Sequence, residues 1–171
     1  MNMVIPTIKT KRLVLRAPKL DDFEPLCTYF QDPRSRFNGG LLDRSEVWGV
    51  LLKNAGQWQL RGHGLWHIAL GENDTYVGFT GIFHPFDWPE PELGYGIAAN
   101  YEGKGIAYEA AMAARQAAAT HLGLTNLPSY IAPDNARSQA LAMRMGAVRE
   151  PDITLRDKTA TVYRHPKTEV L

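Results

Sequence analysis

Residues 92–110 read ELGYGIAANYEGKGIAYEA, and this stretch decides the fold. Glu92 to Ala98 is predicted to be a strand, although it holds two glycines, which often mark a bulge or the close approach of another backbone or a ligand. Residues 108–122 hold seven alanines, and alanine is the best helix former, so Ile106 to Leu122 is predicted to be a helix. Tyr101 to Ala107 therefore joins the end of a strand to the N-terminus of a helix.

The loop between these two elements has the features of an anion-binding site. Gly103 and Gly105 let the backbone turn tightly, in part at positive φ. Successive backbone N–H groups then point into one concavity and add to the positive end of the helix dipole. Such a concavity accepts a phosphate group, and Lys104 adds a point charge. The sequence therefore predicts local anion binding by main-chain groups.

Two other phosphate-binding patterns fit this stretch poorly. A Walker P-loop requires Gly, four residues, and then Gly-Lys-Ser/Thr. Here Ala98 occupies the first position of that pattern, and Gly105 follows the lysine. A dinucleotide-binding pattern also occurs at residues 94–99, but its glycines fall inside the predicted strand and no helix follows directly. Both readings are disfavoured.

The composition limits the class of protein and its partners. The chain has 171 residues, with 19 Lys and Arg against 18 Asp and Glu, for a net charge of +1. Dedicated binders of nucleic acid or of a membrane surface usually carry a basic excess, so neither partner is expected. The single Cys27 excludes an intrachain disulfide and a Cys-pair zinc site, and we expect no metal. No signal sequence or membrane span is visible, which predicts a cytoplasmic protein.

The rest of the chain predicts a single domain, residues 1–171, with the order β-α-α-β-β-β-α-β-α-β-β. Asp43, followed three residues later by Glu46, resembles a capping box at the start of the second helix. Glu92 to Ala132 forms one β-α-β unit, and hairpins connect the other strands. The pattern predicts an α+β fold with a mixed, mostly antiparallel sheet and helices on its faces. Outside that unit the predicted strands are residues 8–16, 65–70, 76–83, 147–155 and 159–164, and the predicted helices are residues 20–30, 44–60 and 133–145.

Tyr101 to Ala110 resembles motif A of the GNAT N-acetyltransferases, whose loop reads Gln/Arg-x-x-Gly-x-Gly/Ala. The resemblance extends over nearly the whole chain. Arg12 to Asp22 is similar to the opening of the branch that includes ribosomal-protein N-terminal acetyltransferases, and Glu92 to Tyr95 is similar to its fourth strand. Pro133 to Ser138 resembles its segment between the fifth strand and the next helix. The order and spacing of these pieces make the resemblance specific.

The resemblance implies a sheet of about seven strands flanked by about four helices, with the fourth and fifth strands splayed apart. It also implies acetyl-CoA as acetyl donor, with its pyrophosphate on the loop backbone and its pantetheine arm in the gap along the fourth strand. A backbone N–H of that strand would stabilise the oxyanion that develops at the thioester. The implied cofactor-binding residues are Ile97, Ala98, Gly103, Lys104, Gly105, Ile106, Ala107 and Asn135.

The implied reaction is direct attack of a neutral primary amine on the thioester carbon, through a tetrahedral intermediate. Glu92 is the candidate general base, since it matches the catalytic Glu of some GNAT enzymes; a structural or substrate-binding carboxylate is the other reading. Ser138 is a candidate donor to the departing thiolate, although helix capping explains a serine there equally. Many relatives carry a tyrosine acid where this chain has Ala142, and Glu102 replaces the usual Gln or Arg of the loop motif.

The acceptor is constrained least by the sequence. Aromatic residues in loops suit ligand contact, so Tyr29, Phe37 and Trp88 are the candidate substrate-contacting residues. The acceptor is expected to be a protein N-terminus or a small-molecule amine, and the chain a monomer or a homodimer. Two other functions stay open: a catalytically silent acyl-CoA-binding module that serves as sensor or scaffold, and a nucleotide-phosphate binder of the P-loop type.

Overall fold

The computed structural model describes residues 4–171, which form eight strands and four α-helices. None of the helices in this part of the chain is long and apolar enough to cross a membrane. The strands are β1 (Ile8–Lys9), β2 (Leu13–Arg16), β3 (Leu65–Leu70), β4 (Tyr76–Phe83), β5 (Glu92–Ile97), β6 (Pro128–Ile131), β7 (Val148–Leu155) and β8 (Lys158–Arg164). The helices are α1 (Phe23–Gln31), α2 (Arg44–Arg61), α3 (Ile106–Leu122) and α4 (Ala136–Arg144), with short 3-10 helices at Leu20–Asp22, Pro33–Asn38 and Ala99–Tyr101.

The strands are divided between two sheets. The first sheet has the order β1-β2-β3-β4-β5 and the second has the order β6-β8-β7, and neighbouring strands within each are antiparallel. The predicted α+β class, with a mostly antiparallel sheet arrangement flanked by helices, is confirmed. The predicted fourth and fifth strands are β5 and β6, and the division between the sheets falls between them.

The predicted first strand, residues 8–16, is a hairpin of two short strands. The Thr10 N–H donates to the Leu13 carbonyl at 2.9 Å and closes the turn. The Thr10 hydroxyl and the Arg12 N–H both donate to the Glu109 carboxylate on α3, at 2.6 and 3.0 Å. The turn contains no Gly or Pro, and a carboxylate far away in the sequence stabilises it instead. The sequence pattern therefore predicts one continuous strand where the structure has two.

The main core lies between α3 and the first sheet. Ala110, Ala111 and Ala114 are fully buried there, and their small side chains let the helix lie close to the strands. A second apolar cluster packs α1 and α2 against β4. The predicted capping box starts α2: Asp43 accepts the Glu46 N–H at 2.8 Å, and Glu46 accepts the Asp43 N–H at the same distance. β5 is therefore the edge strand of a well-packed sheet, with β4 on one side and the gap to the second sheet on the other.

Candidate functional site

β5 and β6 are held together at one end only. Tyr130 on β6 donates its backbone N–H to Oε2 of Glu92 at 2.8 Å, and the Ser129 hydroxyl donates to the Leu93 carbonyl at 2.7 Å. Within residues 4–171 no backbone ladder pairs these two strands. We call this junction of Glu92, Leu93, Ser129 and Tyr130 the closed end of the gap. Beyond Leu93, no backbone hydrogen bond joins β5 to β6 in the described residues, and we call this side the open end.

The end of β5 directs backbone groups into the gap. The Ala98 N–H donates to the Val77 carbonyl at 2.9 Å, and the Ala98 carbonyl accepts the Tyr101 N–H at 2.9 Å. Because the residues of an antiparallel strand pair with their neighbour alternately, Tyr95 and Ile97 direct their backbone groups to the opposite edge. This geometry favours Ile97 over Ala98 as the residue whose backbone can pair with a ligand in the gap.

The loop that follows β5 presents unpaired backbone donors at the open end. Gly103 and Gly105 adopt positive φ angles of 72° and 75°. In the part of the chain that the structure describes, no N–H of residues 103–108 donates a hydrogen bond to another protein atom. The Glu109 N–H donates to the Gly105 carbonyl at 3.1 Å, where the helical pattern begins. We call residues 103–108 the amide loop; its free donors at a helix N-terminus fit a phosphate-bearing ligand.

Arg12 holds the amide loop from the turn between β1 and β2. Its guanidinium donates to the Lys104 carbonyl at 2.9 Å and to the Glu109 carboxylate at 2.7 Å. A Cβ on Gly105 would lie 3.5 Å from the same guanidinium, so the loop and the arginine are in close contact. The Lys104 ammonium lies over the ring of Tyr101, 5.4 Å from its centroid. Arg12 thereby fixes the carbonyl side of a loop whose N–H side is free.

Glu92 is buried at the closed end, with both carboxylate oxygens engaged. Oε1 accepts the Trp88 indole N–H at 2.8 Å, Oε2 accepts the Tyr130 N–H, and the residue is only 8% exposed. Burial raises the pKa of Glu92 to about 7, and the two hydrogen bonds oppose this rise only in part. The side chain is therefore divided between acid and carboxylate near neutral pH, which suits a general base.

Ser138 on α4 contacts Tyr95 of β5 across the gap. The Ser138 hydroxyl donates to the Tyr95 hydroxyl at 3.1 Å, and the Tyr95 hydroxyl donates to the Ser138 carbonyl at 3.2 Å. Burial raises the pKa of Tyr95 to about 12, so the phenol keeps its proton at neutral pH. Asn135 caps α4 by accepting the Ser138 N–H at 3.2 Å. A tyrosine hydroxyl therefore reaches this region from β5, whereas position 142 of α4 holds a buried alanine.

The predicted substrate-contacting residues lie in different places. Tyr29 is buried, and a Cβ on Gly96 would lie 2.5 Å from its hydroxyl, so Tyr29 packs directly against β5. Phe37 lines a cavity of about 360 Å³ between the α1–α2 connection and the start of α4. Trp88 lies at the closed end, where it contacts Glu92. No three His, Cys, Asp or Glu side chains among residues 4–171 are grouped to hold a metal ion.

Comparison with known proteins identifies the family. The pattern of the Acetyltransferase (GNAT) domain matches residues 12–148. This chain belongs to the GNAT acetyltransferase family. Its fold is thus that of an acetyltransferase family, and the family resemblance stated from the sequence is confirmed. The family leaves no support for a P-loop nucleotide binder.

Relatives of this GNAT chain match over most of its length. An acetyltransferase of Agrobacterium tumefaciens str. C58 has a solved structure with a TM-score of 0.87, 37% identity and coverage of 98% of both chains. The uncharacterized N-acetyltransferase p20 of Bacillus licheniformis is 28% identical over 149 residues, which cover 84% of this chain and 83% of that protein. RimL, a ribosomal L7/L12 alpha-N-protein acetyltransferase solved in complex with coenzyme A, shares the fold, with a TM-score of 0.76, 16% identity and coverage of 94% and 97%.

The structure brings part of the predicted site to the gap, at two separate levels, whereas Phe37 lies at a separate cavity. Glu92 and Trp88 lie at the closed end, whereas the amide loop borders the open end. Sequence reasoning did not find the contact of Tyr95 with Ser138 or the hold of Arg12 on the loop. Both contacts join segments that are far apart in the chain, and no local spacing or motif predicts either of them.

Proposed function

We propose that this chain transfers the acetyl group of acetyl-CoA to a primary amine by direct attack of the neutral amine on the thioester. The observation that carries the proposal is the amide loop, whose unpaired donors stand at the open end of a gap between two sheets. Backbone donors at a helix N-terminus bind phosphate without any basic excess. The near-neutral charge of the chain agrees with such a site.

The residues around the gap fit acetyl-CoA. The amide loop would hold the pyrophosphate, with the Lys104 ammonium nearby, and the backbone of Ile97 and the side chain of Asn135 would border the pantetheine arm. When bound, the donor supplies an acetyl group activated as a thioester. The chain contributes proximity, hydrogen-bond donors and a route for the proton that the amine loses.

Glu92 is the residue to which we assign removal of that proton, directly or through water. Its two hydrogen bonds, from Trp88 and from the Tyr130 backbone, fix the orientation of the carboxyl group. We assign Ser138 the role of hydrogen-bond donor to the departing thiolate, and the phenol of Tyr95 is hydrogen-bonded to it. A purely structural Glu92 would instead leave the pH dependence of the reaction unchanged when it is replaced.

An α-amine, on a protein N-terminus or a small molecule, is the acceptor that we favour. An α-amino group has a pKa of about 7.7–8.0, against about 10.4 for a lysine side chain. A base with a pKa of about 7 is matched to the first and poorly matched to the second. RimL, which shares the fold, is described as an alpha-N-protein acetyltransferase.

Release of free thiol from acetyl-CoA tests the proposal. The panel contains peptides with free N-termini, N-acetylated peptides with one lysine, amino acids and polyamines, each at pH 6 to 9. We expect turnover with at least one free α-amine, loss of that turnover on N-acetylation, and mass spectrometry to show one added acetyl group. Turnover on lysine peptides alone would overturn the acceptor class. Tight CoA binding with no turnover on any amine would favour the silent acyl-CoA-binding module.

A further inference from the structure

An acidic residue stands directly before the amide loop, where an anion is expected to bind. Glu102 precedes Gly103, and its carboxylate pairs with Nη1 of Arg137 at 2.5 Å and with Nη1 of Arg34 at 3.5 Å. Arg137 lies in the first turn of α4, and Arg34 lies in the connection between α1 and α2. One carboxylate thus ties together three segments that border the open end of the gap.

A second ion pair joins two of the same segments. Arg36 pairs with Asp134 at 3.5 Å, again between the α1–α2 connection and the segment that leads into α4. The cavity of about 360 Å³ lies between these segments and is lined by both Arg34 and Arg137. Two guanidinium groups therefore line this cavity, and both contact the carboxylate of Glu102, the residue directly before the amide loop.

The ion pairs of Glu102 are exposed and easily exchanged. The side chains of Arg34 and Arg137 are 49% and 58% exposed, and that of Glu102 is 30% exposed. Exposed ion pairs of this kind contribute little to stability, so an incoming anion meets little resistance. A phosphate offers arginine a bidentate, charge-assisted contact that is stronger than such a surface pair. The arginines therefore gain by moving from the carboxylate to a phosphate.

We propose that Arg34 and Arg137 form a phosphate-binding pair for the CoA donor, and that Glu102 holds this pair in position until the phosphate arrives. The inference rests on the proposed function, since it requires that CoA binds at the amide loop. The carboxylate orients the two cations across the cleft and then competes with the ligand for them. Binding of the nucleotide end of CoA would thus rearrange contacts of α4 and of the α1–α2 connection at the same time.

Calorimetric titration of CoA into the purified full chain tests the pair without any need for turnover. Glu102→Gln removes the competing anion, and we expect it to tighten CoA binding by about 3- to 10-fold. Arg137→Gln and Arg34→Gln remove a phosphate ligand each, and we expect each to weaken binding by about 5- to 20-fold. Glu24→Gln and Arg44→Gln, which break an exposed pair of 2.5 Å between α1 and α2, are the matched controls and should leave the affinity unchanged.

Three further measurements separate the explanations. In the Arg34→Gln/Arg137→Gln double variant, Glu102→Gln should no longer tighten binding, because no cation remains to be released. Pantetheine, which lacks all phosphates, should bind the wild-type chain and every variant equally. Dephospho-CoA, which lacks the 3′-phosphate, shows which phosphate the pair binds. If the variants change its affinity as much as they change that of CoA, the pair binds the diphosphate. If they do not change its affinity, the pair binds the 3′-phosphate. Each assignment supports the pair.

Three outcomes overturn the inference, and they can be distinguished from one another. If the wild-type chain does not bind CoA, the proposed function fails and the pair fails with it. If the wild-type chain binds CoA but Glu102→Gln and both arginine variants bind it as wild type does, only the phosphate-binding pair fails, and Glu102 is a surface cross-link. Weaker binding by Glu102→Gln would also contradict the pair, since it would make the carboxylate a support of the loop.

Discussion

The closed and open ends of the gap are built from different chemistry. At the closed end, Glu92 and Ser129 are 8% and 2% exposed and both are hydrogen-bonded, and His165, which contacts Ser129, is 1% exposed. At the open end, Glu102 pairs with an Arg137 side chain that is 58% exposed. Breaking a buried hydrogen bond leaves a desolvated partner behind, whereas an exposed ion pair is worth little. The closed end should therefore carry stability in addition to the proposed base Glu92, and the open end should carry cofactor binding.

Replacing the serine of the closed end should have the largest effect. Ser129 donates to the Leu93 carbonyl at 2.7 Å and contacts Nε2 of His165 at 2.9 Å. Ser129→Ala leaves both buried partners unsatisfied, and we expect the free energy of unfolding to fall by about 2–4 kcal/mol. Ser138→Ala, at a half-buried position on the open side, should cost less than about 1 kcal/mol. Urea denaturation measures both, and equal losses would contradict the comparison.

Glu92→Gln should affect the reaction next most strongly. Because only the carboxylate can accept a proton, wild-type kcat/KM should rise with pH through about 7, the raised pKa of Glu92. In the Gln variant this inflection should disappear and kcat/KM should fall about 100-fold. Thiol release measures the rate, corrected for the fraction of folded protein. Trp88→Phe removes a hydrogen bond that lowers the pKa, so its inflection should move to higher pH. Wild-type turnover by Glu92→Gln across the pH range would remove this residue from the mechanism.

The backbone of the loop at the open end was predictable from the sequence because its signals are local, whereas the side-chain contacts of Arg12 and Tyr95 there were not. Gly103 and Gly105 adopt the positive φ angles that their residue type permits, and the alanine-rich α3 starts where the sequence places it. The capping box at Asp43 and Glu46 is equally local. Each of these features depends on residues within one turn of backbone.

The closed end was not predictable in the same way. Its bonds join β5, β6 and the end of β8, and no local spacing predicts that Ser129 contacts both Leu93 and His165. The hairpin at Thr10 was not predicted for the same reason, since a carboxylate on α3 stabilises its turn. Long-range polar contacts leave no periodicity in the sequence.

Acid should weaken the closed end through His165. Burial first, and then the charges of Arg115 and Arg164, lower the pKa of His165 from 6.5 to about 4. The unfolded chain therefore binds a proton below about pH 6.5 while the folded chain does not, and stability present above that pH is lost as the pH falls toward 4. We expect a loss of roughly 2 kcal/mol over this window.

Chemical denaturation at pH 4 to 7 compares the wild type with His165→Asn. The variant should show a smaller loss of unfolding free energy on acidification. Glu92 acts in the opposite direction, because its raised pKa makes stability fall as the pH rises toward 7. That contribution is present in both proteins and cancels in their difference. Parallel pH curves for the two proteins would show that His165 does not report on the closed end.

Arg12 should have the smallest of these effects, and only at the open end. It donates to the Lys104 carbonyl and to Glu109, so it positions the amide loop from the side that faces away from the free N–H groups. Arg12→Gln should weaken CoA binding by about 10-fold, because the loop is no longer held in its binding conformation. The free energy of unfolding, measured by urea denaturation, should change by less than about 1 kcal/mol. Arg12→Lys keeps the charge but not the forked geometry, so it should fail to restore the affinity. Full rescue by lysine would mean that Arg12 acts through its charge on the ligand, and would remove it as a positioning residue.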